Sequence, residues 1–373
     1  MTLTPRQRML SAYQGQPPDR TPVAPEFWYY VPARLMGLTM VDFQRQVPHW
    51  QALQLTFKHY DCDGWGIVAP GAPDWGGEER ARVARLDERR YEETATIAHE
   101  GRSLTSRTLY DVEEPSWLVE RYVKDWEADW PVYERYAMPP VASLDWRPVR
   151  EALDAVGEDY LLEVFVGFPF VDFVGGQREG GLEQVVVDLV ERQDEMRMLL
   201  KRYLAHIAEK TRAAFACTPA RSVFVASSWS SLSLLSPSLW RRWEKPVLEA
   251  VAEAAHACGG LVHHHFHGRC LGVLEELGAL GLDCICPFER PPGGDVVDLR
   301  RVRRALGERT AFNGNVHTVE TLLRGTPEDA RREVGEIRAA FEGSNRLIVG
   351  TGDQVGGDTP EENIQAMIEA ARR

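Results

Sequence analysis

The 373-residue chain reads as an α/β protein built as a single (β/α)8 TIM barrel. Three observations predict this. Eight short apolar stretches of strand character occur along the chain, segments of helical period lie between the later ones, and no linker richer than a loop interrupts them. Residues 1–373 therefore form one domain, and an open doubly wound sheet is the other arrangement that such alternation allows.

The elements follow in order. The first strand is expected over 21–27, where Pro22 and Pro25 suit a strand entry better than a ladder centre. It runs into Glu26, Trp28, Tyr29 and Tyr30, one carboxylate among aromatics, placed to line a pocket or to pack as a lid on the rim. A helical segment over 40–59 leads to a second strand over 62–68 and then to a Gly/Pro-rich loop over 69–77. From 78 to 130 the pattern changes. Thr-rich stretches at 91–98 and 103–110 flank the turn His99-Glu100-Gly101-Arg102, which predicts a hairpin. We read it as an insertion at the barrel mouth, whose aromatic-rich continuation (Trp117, Trp126, Trp130) covers one side.

Regular alternation begins near Trp146, with strands expected over 160–166, 222–226, 261–265, 284–287, 310–314 and 347–350. Helical stripes separate them: Leu182, Val185, Val186, Leu189 and Val190; Val247, Ala250, Val251 and Ala254; Ala330, Val334, Ile337 and Phe341; Ile364, Met367, Ile368 and Ala371. Thr359-Pro360-Glu361-Glu362, Thr326-Pro327-Glu328-Asp329 and Ser236-Pro237 mark helix starts by a capping hydroxyl followed by proline.

Composition narrows the function classes. A formal charge of −13 without a long basic run excludes nucleic acid and anionic membranes as partners. No apolar stretch approaches the roughly 18 residues a bilayer span requires, and the first residues lack a signal core, so a soluble cytoplasmic protein is expected. The six cysteines form no CxxC pair, which removes disulfide frameworks and cysteine-rich zinc modules.

The densest chemistry lies at Gly259-Gly260-Leu261-Val262-His263-His264-His265-Phe266-His267-Gly268, with four of the ten histidines inside five residues. On a strand His263, His265 and His267 share one face and His264 and Phe266 the other. Spacing of i, i+2 lets two imidazoles meet one borderline ion such as zinc. A barrel active site sits at the C-terminal strand ends. That rule singles out Trp28, Tyr29, Asp63, Trp65, Phe170, Trp229, Asn315, His317 and Asp353, together with Glu289 and Cys286 after the next strand. Glu289 is a candidate ligand or general base, and His317 a candidate acid or base.

The chain resembles the uroporphyrinogen decarboxylase superfamily, including its cobamide-dependent methyltransferase branch. The likeness is carried by Thr4-Pro5-Arg6-Gln7-Arg8, Pro18-Asp19-Arg20-Thr21-Pro22-Val23, Ser236-Pro237, His265-Phe266-His267-Gly268, Gly281-Leu282-Asp283, Gly314-Asn315, Gly325-Thr326-Pro327-Glu328 and Asp358-Thr359-Pro360-Glu361-Glu362-Asn363. The decarboxylases carry an R-Q-A-G-R loop after the first strand, where this chain has Phe27-Trp28-Tyr29-Tyr30-Val31-Pro32-Ala33-Arg34. Without that arginine pair an octacarboxylate lacks its main counter-charges. The methyltransferases resemble zinc enzymes with a His-x-Cys-Gly motif and a later cysteine. Carried over residue by residue, the resemblance implies His265, His267 and Asp353 as ligands, with both family cysteines replaced. That set suits Zn2+ first and Fe2+ second.

The resemblance thus implies metal-dependent methyl transfer or demethylation on a small-molecule substrate, with a corrinoid as co-substrate and a corrinoid protein as partner. Trp28, Tyr29, Trp65, Phe170, Trp229 and Asn315 are the expected cofactor-facing residues. Two alternatives stand beside it: metal-free decarboxylation using Asp63, Tyr29 or Arg34, and a non-catalytic corrinoid or tetrapyrrole carrier. The oligomeric state is open, a dimer included.

Overall fold

The computed structural model describes residues 2–71 and 74–373; Ala72 and Pro73 of the expected 69–77 loop lie outside the described residues. Twelve strands are found among them: β1 (Val23–Ala24), β2 (Trp65–Val68), β3 (Glu78–Arg85), β4 (Arg90–His99), β5 (Arg102–Asp111), β6 (Trp117–Glu120), β7 (Leu161–Gly167), β8 (Ser222–Ser227), β9 (Leu261–Phe266), β10 (Cys284–Pro287), β11 (Ala311–Val316) and β12 (Leu347–Thr351). Eight of them form one parallel sheet in the order β1-β12-β11-β10-β9-β8-β7-β2, and β3-β4-β5-β6 form a separate antiparallel sheet. The parallel sheet is curled in the manner of a TIM barrel, with the intervening helices packed outside it.

Each expected barrel strand is present, but the first is only two residues long. Pro22 and Pro25 flank it, and neither has an N–H for a ladder bond. Among the described residues no ladder joins β1 to β2. A side chain bridges that seam instead: Asp63, just before β2, accepts the Val23 N–H at 3.0 Å and pairs with Arg8 at 2.5 Å and Arg20 at 2.6 Å.

Strand alternation sends Ala24, Trp65, Leu161, Phe224, Ala226, Cys284, Cys286, Ala311 and Ile348 into one inner cluster. The helix Pro5–Gln14 adds Met9, Ala12 and Tyr13 to it. It starts at a capping box in which Thr4 accepts from the Gln7 N–H.

The hairpin forms as β4 and β5, pairing Tyr91 with Tyr110 and His99 with Arg102. Its two turn residues, Glu100 and Gly101, take φ of 48° and 80°, the positive values a two-residue primed turn requires. This sheet meets the segment after β1 through Tyr30 Oη donating to Glu114 and the Met40 N–H donating to Val112 O. In the aromatic segment Trp126 and Trp130, on the helix Trp126–Ala137, stack on each other at 4.4 Å and are buried, and Trp130 meets Phe173, after β7, edge-on at 6.1 Å.

Candidate active site

Strand β9 begins after Gly259, whose φ of +71° ends the helix Lys245–Ala257 in a left-handed turn. The strand then alternates as its sequence requires. His264 turns outward and its Nδ1 meets Val225 O at 3.0 Å, while His263 and His265 turn into the barrel. The β9–β10 register sets Cys286 opposite His265 and Cys284 opposite His263. Cys286 Sγ consequently lies between two rings, 3.1 Å from His263 Nε2 and 3.2 Å from His265 Nδ1. His263 Nδ1 meets Glu163 Oε2 of β7 at 2.7 Å.

One step above, where β9 runs out, His267 Nδ1 lies 3.1 Å from Glu289 Oε2, which also accepts the Gly268 N–H at 2.6 Å. On the other side of the ring, His267 Nε2 is 4.0 Å from Asp353 Oδ1 in the loop after β12. His267, Glu289 and Asp353 each offer a ligand atom, and these atoms all lie within 4.8 Å of one another. Glu26, after β1, approaches from below, its Oε2 4.0 Å from His265 Nδ1 and its Oε1 accepting from Trp28 Nε1.

Proton affinities diverge sharply across this cluster. Burial, with the neighbouring imidazoles added, holds His265 neutral, well below the usual histidine range. His267 is also penalised by burial, yet its hydrogen bond to Glu289 and the charges of Asp353, Glu289 and Glu26 raise it to about 9. Burial and the nearby Asp353 push Glu26 above the usual carboxylate range. Burial acts on Glu289 in the same direction, but the His267 contact outweighs it and holds that carboxyl low.

The implied ligand set is brought together only in part. His267 and Asp353 meet, but the third close donor is Glu289. His265 turns its Nδ1 to Cys286, and its ring stands edge-on to His267 at 4.3 Å. Asn315, His317, Glu289 and Asp353 line a cavity of about 230 Å3 beside the triad. His317 caps the following helical turn there: its Nδ1 accepts the Val319 and Glu320 N–H groups and its Nε2 faces Pro291 O. The side chain of Asn315 donates to Phe288 O, and its Oδ1 is buried with no partner among the described residues.

Two expectations are corrected. Asp63 lies before β2, at the strand end opposite the mouth, where its ion pairs with Arg8 and Arg20 hold it away from any substrate. Phe170 is fully buried against Trp243 at 5.7 Å and cannot face a cofactor, because its helix packs that ring outward into the core. Trp65 forms the floor of the site, 4.8 Å from the His263 ring. Trp28 stacks on His49 at 4.9 Å, with Tyr29 tilted beside that histidine. Trp229 is 59% exposed. Arg34 is spent on Glu361 and the Gly357 carbonyl. Sequence reading missed Glu163, although an acid at the inward position between Leu161 and Phe165 was the available signal.

The donor set suits a divalent ion. One imidazole and two carboxylates, whose ligand atoms all lie within 4.8 Å of one another, could hold such an ion.

Comparison with known proteins gives the kinship of this arrangement. The family model "Uroporphyrinogen decarboxylase (URO-D)" matches residues 145–373. A uroporphyrinogen decarboxylase of Thermus thermophilus is 29% identical over 150 residues, 39% of this chain and 39% of that protein. A methylated-thiol–coenzyme M methyltransferase of Methanosarcina mazei is 26% identical over 153 residues, 41% of this chain and 38% of the relative. The chain thus spans well under half the length of these curated relatives. A solved methyltransferase from Methanosarcina mazei superposes with a TM-score of 0.67 at 17% identity, covering 99% of this chain and 98% of the other, which is a likeness of fold. The family match covers more than half of the chain and includes every residue of the triad, and on that ground the chain belongs to the uroporphyrinogen decarboxylase family.

Proposed function

We propose that the chain is a metal-dependent enzyme of methyl transfer or demethylation, with a divalent ion, zinc in the first place, held at the barrel mouth. The observation that carries this reading is the convergence of His267, Glu289 and Asp353 from three different strand ends. On this reading His265 adjoins the ligands, its ring edge-on to His267 at 4.3 Å. A bound ion would supply Lewis-acid stabilisation to a thiol or water at the mouth. Glu289 orients His267 and shares its proton, Asp353 adds negative charge on the solvent side, and Glu26 with Trp28 closes the wall below. The half-exposed Trp229 offers a flat apolar face on which a corrinoid carrying the methyl group would rest.

Decarboxylation has less support in this chain. Asp63 is committed to the seam, and Arg34 to Glu361. Metal analysis of purified protein tests the proposal: wild type should carry stoichiometric zinc and His267→Ala almost none, and transfer from methylcobalamin to a small thiol should fall with it. Zinc retained in full by His267→Ala, or decarboxylation of a porphyrinogen by the zinc-free protein, would overturn it.

A further inference from the structure

A second cavity, of about 240 Å3, opens between the long helix Gln193–Cys217, the end of the helix Trp126–Ala137 and the loop after β2. Pro70, Trp75, Tyr136, Leu144, His206 and Lys210 line it, and none of them belongs to the triad or to the cavity beside the triad. Trp75 and Tyr136 meet edge-on at 5.4 Å and give it an aromatic wall. His206 and Lys210 stand one turn apart, so both project from the same face of their helix.

The amine in this cavity differs from the other four of the chain's five lysines. Lys58 pairs with Asp159 at 2.5 Å, Lys124 with Glu120 at 2.6 Å and Lys245 with Glu249, while Lys201 is exposed to solvent. Lys210 makes no ion pair or hydrogen bond among the described residues. Glu79 also reaches the cavity, but its Oε1 accepts the Tyr136 hydroxyl at 2.9 Å and it forms no ion pair with Lys210. An ammonium lodged here gives up hydration without gaining a counter-charge, and burial alone brings Lys210 down to about 8. Burial, followed by the charge of Lys210, lowers His206 to about 4, so that ring is neutral at pH 7 and adds no second charge. At pH 7 about one Lys210 side chain in ten is then a free amine, against fewer than about one in a thousand for a lysine of ordinary proton affinity.

We propose that Lys210 is a covalent carbonyl-binding site, whose amine condenses with a small aromatic aldehyde seated in this cavity. The neutral Nζ attacks the carbonyl carbon, a C=N bond replaces the C=O bond, and the oxygen leaves as water with the two Nζ hydrogens, so neither oxidant nor reductant is needed. A desolvated lysine without a counter-ion is the side chain activated for such chemistry. The wall of Trp75 and Tyr136 selects a flat apolar body. The volume lies below the roughly 300 Å3 at which pockets for drug-sized ligands begin, and so selects one ring over a fused system. This site is independent of the metal reading, and neither depends on the other.

The test exposes the full chain to benzaldehyde or, separately, to pyrenecarboxaldehyde, from about pH 6.5 to about 10, reduces the imines with borohydride and maps the alkylated lysines by peptide mass spectrometry. At pH 7 benzaldehyde should label Lys210 at least about tenfold faster than the exposed Lys201, and the labelling of Lys210 should level off above about pH 9. Pyrenecarboxaldehyde is too large for the cavity and should show no preference for Lys210. Lys210→Arg keeps the charge but lacks the amine, and should lose the label at this position while Lys201 is labelled as before. Equal labelling of Lys210 and Lys201 by benzaldehyde at pH 7 would overturn the proposal. So would a preference for Lys210 that the larger aldehyde shows as well, because the reactivity would then come from an accessible amine and not from the cavity.

Discussion

His265 and His267 are two residues apart on one face, yet their proton affinities move in opposite directions. The difference lies in what each ring meets: His265 faces a thiol and other imidazoles, whereas His267 sits between Glu289 and Asp353. Glu289 is therefore the residue on which the mouth cluster turns, because it holds both His267 Nδ1 and the Gly268 N–H. Glu289→Ala should reduce zinc affinity at least about tenfold, since it removes a donor and frees the His267 ring. Glu289→Gln keeps the Gly268 contact and should fall between the two. Competition with a chromophoric chelator measures both, and an unchanged affinity in Glu289→Ala would exclude this carboxylate from the site. The shared face of the histidines was readable from alternation alone. Glu289 was only one candidate among several, since the sequence does not state that β10 ends beside β9.

At the scale of elements, the loops after β7 and β8 are held together by two buried acids. Asp172 accepts the Ser230 hydroxyl at 2.5 Å and the Trp229 N–H at 3.1 Å, and Glu244 accepts the Val171 N–H at 2.8 Å. Burial raises Asp172 to about 6, and burial followed by the charge of Asp172 raises Glu244 to about 8. Both folded values exceed the ordinary carboxylate value near 4. The stability they contribute is thus fully present below about pH 4 and is lost as pH rises through 6 and then 8. Each proton accounts for at most about 1.4 kcal/mol per pH unit. Glu244→Gln keeps an acceptor for Val171 and should flatten the fall of the unfolding midpoint between pH 5 and 8.5, ending more stable than wild type at the upper limit. Parallel pH curves would show that Glu244 does not titrate in this range. A steric limit acts between two helices nearby: a Cβ on Gly278, in the helix Leu274–Ala279, would sit 2.0 Å from the Ala305 carbonyl of the helix Leu299–Leu306. Gly278→Ala should therefore cost about 1–3 kcal/mol in a denaturant titration.

Across the whole molecule, the order of strands and helices was legible because each carries its own period and its own stops. The eight barrel strands fall where apolar runs are bounded by turn residues, and the β4–β5 register follows from the Glu100-Gly101 turn. What the sequence did not disclose are contacts between elements far apart in the chain. Glu163 is 100 residues from His263, and Asp63 is 55 from Arg8. Asp63 was expected at the mouth because it stands beside a strand, but its side chain bridges the sheet edges at the strand starts. This gives a test that separates architecture from chemistry. Asp63→Ala leaves the buried Arg8 guanidinium, 4% exposed, without one of its two carboxylates and the Val23 N–H without its acceptor. Breaking a buried pair in this way costs about 3–5 kcal/mol. The urea midpoint should fall accordingly, while the folded fraction at low temperature should keep its zinc, because the seam lies at the opposite end of the barrel. Loss of zinc with an unchanged midpoint would return Asp63 to the active site.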